Sequence, residues 1–103
     1  MYAVYNVKPA DKPLIDAALD VQKNPAADLV TRQSVVVRDA AALGLQGLGV
    51  LVLVEGEDRG VKASEPIFAF AERLTGEKAE TARRAFHAQD DAAAAGVGFI
   101  FGD

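Results

Sequence analysis

The stretch GLQGLGVLVLVEGEDRG, residues 44–60, sets three glycines ahead of an apolar run and two behind it, and ends in a charged cluster. It reads either as a phosphate-cradling loop or as a buried strand between two turns, and the choice decides the fold. Nucleotide-binding loops place their glycines after a strand and before a helix, so that the helix amides face the phosphate. Here Gly44, Gly47 and Gly49 precede the run in the reversed order G-x-x-G-x-G, and Glu55, Glu57 and Asp58 follow it, where they would repel a phosphate. The reading is a strand over Val50 to Val54. Apolar at every position, it wants cover on both faces.

Working outward, Tyr2 to Val7 (YAVYNV) is aromatic and β-branched and predicts a first strand closed by Lys8-Pro9. Tyr2 and Tyr5 fall on opposite faces of that strand. Asp11 and Pro13 open a helix whose stripe is Leu14, Ala18 and Val21, flanked by Ile15 and Leu19, and Asn24-Pro25 ends it. Ala26 to Arg32 reads as loop, and Gln33 to Arg38 (QSVVVR) as a second strand. Asp39 caps a short helical turn through AAALGL, and the connection to Val50 suits antiparallel pairing better than a crossover.

Ser64-Glu65-Pro66 has the form of a helix start, with Ile67, Phe68, Ala71 and Leu74 as its apolar face and Gly76 as its stop. A further helix runs from Glu77 to about Ala95, with Ala79, Ala82, Phe86 and Ala93 on one side. Gly96 ends it, and Val97 to Phe101 (VGFIF) reads as a last strand. The predicted order is β-α-β-β-α-α-β in a single domain, residues 1–103. This is an α/β (α+β) pattern of the ferredoxin-like, split β-α-β kind, one four-stranded sheet with helices on one face. The alternative is a three-layer α/β/α arrangement with helices divided over both faces. If the helices cover one face only, a second copy of the chain is the simplest cover for the other, which predicts a homo-oligomer.

Composition narrows the function. Net charge is −4 and the sequence pI about 4.9, the wrong sign for a chain that gains affinity by neutralising phosphates, so no nucleic-acid partner is expected. There is no cysteine, which excludes disulfides, thiolate metal sites and a cysteine nucleophile. The run Val50 to Val54 is too short to span a bilayer and the first residues do not form a signal sequence, so a cytoplasmic chain away from membranes is expected. Alanine fills 20 positions, in keeping with closely packed helices.

No motif names a reaction or calls for a cofactor. The hydroxyl residues lie in neither G-x-S-x-G nor S-x-x-K. The charged loop 55–62 is the first candidate site, with Arg59, Lys62 and the amides near Ser64 as contacts for a small anionic ligand. The cluster Glu55, Glu57, Asp58 matches no calcium loop, and a lone histidine builds no two-histidine metal site. His87 is the second candidate. On a helix Asp90 and Asp91 lie three and four residues on, while Glu80 with Arg83 and Arg84 has the spacing of a salt-bridged outer face. The reading is a small homo-oligomeric ligand-binding or regulatory module. The alternatives are an enzyme with His87 as general acid or base at a subunit interface, and an adaptor that binds another protein.

Overall fold

The computed structural model describes the backbone of residues 1–102 and the side chains of residues 1–90. Its strands are β1 (Tyr2–Val7), β2 (Ser34–Asp39), β3 (Val50–Glu55) and β4 (Glu72–Leu74); its α-helices are α1 (Lys12–Leu19), α2 (Ala27–Thr31), α3 (Asp58–Ile67) and α4 (Gly76–Gly102). The sheet order is β2-β3-β1-β4 and every neighbouring pair is antiparallel. With α1 and α3 as the two crossovers, the arrangement is a mixed α+β fold compatible with the ferredoxin-like pattern. The order of elements differs from the expected one by α2 in the first half and by β4 followed by α4 in the second.

β3 is central, and its two kinds of side chain divide by parity. Val50, Val52 and Val54 join Ala3, Tyr5 and Val7 of β1 against Ile15, Ala18, Ala27, Val30, Val61, Ile67 and Phe68. Leu51 and Leu53 point the other way and join Val4, Leu74, Ala40, Ala79, Ala82 and Phe86. The first set lies under α1, α2 and α3. The second lies under α4. The demand of an all-apolar strand for cover on both faces is thus met within one chain, and the expectation of helices on one face gives way to helices on both. The face-stacking argument for a second copy loses its ground, because Phe86, 1% exposed, already fills that face.

β1, β2 and β3 lie within a residue of their expected bounds, and Ala40–Leu43 forms the short turn after Asp39, as a 3-10 helix. The rest of the chain departs for identifiable reasons. α1 stops at Leu19, and the Asn24 side chain donates to the Ala18 carbonyl at 3.1 Å. Its buried residues are Ile15 and Ala18, so Leu14 and Val21 stay exposed. The stretch read as loop holds α2, a single turn that buries Ala27 and Val30.

α3 begins at Asp58, six residues before the expected start. Gly60, Val61, Ser64 and Ile67 are its buried stripe, at helical spacing. Ser64 is no cap: it is fully buried mid-helix, and its hydroxyl donates to the Val61 carbonyl. Pro66 stands in the last turn, and the chain leaves the helix at Phe68, whose ring stacks on Tyr5 at 4.9 Å. Glu72–Leu74 then forms the short fourth strand where the helix was expected to continue.

Gly76, with φ of +59°, opens α4 rather than stopping α3, a conformation that suits glycine. The segment Val97 to Phe101, expected as a strand, is helical within α4. Both edges of β1 are taken, by β3 and β4, so the sheet has no inner slot for it. Among the described residues no helix is long and apolar enough to cross a membrane.

Candidate functional site

The turn from β3 into α3 answers the reading of residues 44–60. Gly56 lies between the strand and the helix and Gly60 in the first turn of α3, the placement an anion cradle requires, but the space is filled. A Cβ at Gly56 would come within 2.1 Å of Gln33 Oε1, and one at Gly60 within 2.3 Å of Gln33 Nε2. The Gln33 side chain lies across both glycines, accepts from the Glu57 amide at 2.9 Å and donates to the Leu29 carbonyl at 3.2 Å. These glycines admit a side chain of the protein's own. Glu57 and Asp58 stand at the positive end of the helix dipole, which favours them there.

The residues expected to bind a ligand do not converge. Arg59 and Lys62 are exposed on α3, on one side of the sheet. Ser64 faces inward on the same helix, and its Oγ lies 2.6 Å from the Tyr5 hydroxyl. Because the Ser64 proton goes to Val61, Tyr5 is the donor in this pair. Burial, ahead of the other influences, raises the Tyr5 phenol above its ordinary value. His87 is carried by α4 on the opposite side of the sheet.

A polar cluster forms around His87 from residues distant in sequence. His87 Nε2 lies 2.8 Å from Glu55 Oε1, and Arg83 Nε donates to Glu55 Oε2 at 2.9 Å. The Glu55 side chain is 21% exposed and His87 50%. The Arg83 guanidinium also lies over the Tyr2 ring, 4.8 Å from its centroid, and Tyr2 donates to Glu80 Oε2 at 2.9 Å. That hydrogen bond is the first cause of a Tyr2 pKa above, and a Glu80 pKa below, their ordinary values. The bond to Glu55 likewise holds the Arg83 pKa up. Among the described residues the carboxylate beside His87 is Glu55 and not the expected Asp90; the side chain of the other expected partner, Asp91, lies outside the described residues.

Glu55 was legible only as part of an acidic loop, although its parity with Leu51 and Leu53 already places it on the face that α4 covers. The other side of α4 carries a recess of about 400 Å³ between Leu45, Gln46, Gly47 and Leu48 and the helix residues Glu77, Lys78 and Thr81. Gly44 and Gly47 turn this loop at positive φ, and Leu45 and Leu48 pack on the Phe86 core. Among the described residues no three histidine, aspartate or glutamate side chains are grouped to hold a metal ion. Comparison with protein-family models, with the curated proteins and with the solved structures found no match.

Proposed function

We propose that the chain is a small ligand-binding or regulatory module whose ligand lies between the 45–48 loop and the first turns of α4. The observation that carries this reading is the recess itself. Its volume of about 400 Å³ falls in the range of small-molecule sites, and it offers two leucines for an apolar body with Lys78 and Thr81 for a polar end. Lys78 suits a small anionic ligand. Arg59 and Lys62, on the far side of the sheet, belong to a separate surface and do not share that ligand. Native mass spectrometry of freshly purified protein tests the proposal. A retained small-molecule mass that disappears in Thr81→Arg, a variant that fills the recess from an exposed helix position, supports it; a mass unaffected by that variant places the ligand elsewhere.

A second reading is favoured by the Glu55–His87 contact at 2.8 Å, which sets a carboxylate beside a half-exposed imidazole, the pairing a general acid or base uses. It ranks behind the first because the same contact is accounted for as a tie between α4 and the sheet. The homo-oligomeric part of the expected function needs a surface other than the sheet face, since α4 occupies that face.

A further inference from the structure

β2 is an outer strand of the sheet, and the hydrogen-bond alternation identifies which of its backbone groups the sheet leaves without a strand partner. Met1 and Gly56 exchange two bonds, Met1 N to Gly56 O at 3.2 Å and Gly56 N to Met1 O at 3.1 Å. Along β3, even-numbered residues therefore bond β1, and Leu51, Leu53 and Glu55 bond β2. Their partners on β2 are Arg38, Val36 and Ser34, and the Ala40 amide on the Gly49 carbonyl at 2.8 Å continues the series. Val35, Val37 and Asp39 turn their N–H and C=O groups away from the sheet.

Exposed edges of natural sheets are blunted by proline, lysine, bulges or brevity. β4 is short, at three residues, with Glu72 and Arg73 in it. β2 has six residues in unbroken register, no proline and no lysine, and three consecutive valines that are each only partly covered. Among the described residues one clasp lies on it: Arg38 donates from one guanidinium nitrogen to the Val37 carbonyl at 2.8 Å and from Nε to Gln89 Oε1 on α4 at 3.2 Å.

We infer that β2 pairs with β2 of a second copy of this chain, antiparallel about a two-fold axis through Val36, to make one continuous eight-stranded sheet. A two-fold axis perpendicular to the sheet keeps each face continuous, so opposed residues must share parity. Centred on Val36, the register sets Val35 against Val37 on the α3 side, with Val36 against its own copy and Ser34 against Arg38 on the α4 side. Apolar meets apolar and polar meets polar. Centred on Val37, the strand would instead set Val35 against Asp39 and Val36 against Arg38. In the Val36 register each Val35–Val37 pair exchanges two backbone bonds, and the amide of Val35 replaces the Arg38 clasp on the Val37 carbonyl. Arg38 of the partner subunit then passes over Ser34 toward Glu55, which pairs with Ser34 in the sheet, so charge is complementary as well.

This inference rests on the homo-oligomer expected from the sequence, to which it gives a surface other than the sheet face, and is independent of the recess at α4. The interface is one strand long, so the association is expected to be weak, with a dissociation constant of roughly micromolar order. Amide hydrogen exchange of the full chain, read across a dilution series together with sedimentation equilibrium, tests it. The expected result is a dimer at about 100 μM in which the Val35 and Val37 amides are protected and become labile on dilution, while Val36 and Arg38 stay protected throughout. Val37→Pro removes an outward donor without touching the ladder to β3, and it should weaken dimerisation at least about tenfold. Val36→Lys sets like charges across the axis and should do the same even if the proline variant folds poorly. A chain that is monomeric at about 100 μM overturns both the inference and the oligomeric reading. A dimer that survives both variants with Val35 and Val37 unprotected overturns the edge pairing and leaves the oligomeric reading standing.

Discussion

His87 and Glu55 lie 32 positions apart in the chain and 2.8 Å apart in the fold, imidazole Nε2 to carboxylate Oε1, and with Arg83 they fasten α4 to the end of β3. The arrangement gives the helix a fixed seat on one flank, and the buried side chain of Phe86 gives it depth. Glu55→Gln removes the charge that both bases share. Because the Arg83 and His87 side chains are 37% and 50% exposed, the expected loss is at most about 1 kcal/mol, smaller in high salt. Urea unfolding of both proteins at low and high ionic strength measures it; a loss that ignores salt would show that packing rather than charge is affected.

Phe86 marks the other extreme. Truncation to alanine at this buried position should cost about 3–5 kcal/mol, enough to unfold much of a small domain, whereas Leu14→Ala, at a site 44% exposed, should cost well under about 1 kcal/mol. Thermal and urea melts of the two variants side by side test the assignment of α4 to the core.

Tyr5 and Ser64 form a directed pair inside the first core, and direction predicts asymmetry. Ser64→Ala strands the buried Tyr5 hydroxyl and should cost about 1–3 kcal/mol. Tyr5→Phe leaves Ser64 donating to Val61 and should cost about 1 kcal/mol. The double variant should be less destabilised than the sum, which a double-mutant cycle reads directly.

Gly60 supplies a prediction that changes sign with its neighbour. An alanine inside a helix is ordinarily favoured over glycine by about 1 kcal/mol. Here its Cβ would meet the Gln33 side chain, so Gly60→Ala should fail to stabilise the protein and should break the bond from the Glu57 amide. In a Gln33→Ala background the same change should stabilise it. If Gly60→Ala stabilises both backgrounds equally, the packing of Gln33 over the turn is not as described.

The Tyr2–Glu80 contact links stability to pH at both ends of the scale. Glu80 titrates lower in the fold than its ordinary 4.5, so its contribution is present above that value and is lost as pH falls through the lower, folded pKa. Tyr2 titrates above its ordinary 10.0, so its contribution is present below that value and is lost as pH rises through the higher, folded pKa. Tyr2→Phe should flatten both limbs of a stability–pH profile. Unchanged limbs would remove the contact from the account.

What the sequence disclosed and what it concealed follow the range of the interactions involved. β1, β2 and β3 declare themselves through runs of valine, leucine and tyrosine, and the 3-10 turn after Asp39 through local turn chemistry. Ser64-Glu65-Pro66 misleads because a serine that caps a helix and a serine buried within one look alike in sequence; the difference is Tyr5, two strands and two α-helices away. Val97 to Phe101 has strand-like composition, but a strand needs a neighbour, and β4 already holds the place beside β1. The site was least legible. Glu55 and His87 meet only because α4 crosses the sheet, and the recess at Leu45, Leu48 and Lys78 exists only because α4 starts where a strand ends.

The claim on which the rest depends is that α4 of the same chain fills the second face of the sheet, with the recess beside it and the β2 edge open among the described residues. Nuclear Overhauser contacts between the Phe86 ring and the methyl groups of Leu51, Leu53 and Leu74, recorded on a mixture of labelled and unlabelled protein, test it most directly. The predicted result is strong contacts within one chain at every concentration. Contacts that arise only between chains, with Phe86 otherwise in solvent, would contradict it and restore a sheet face covered by a second copy.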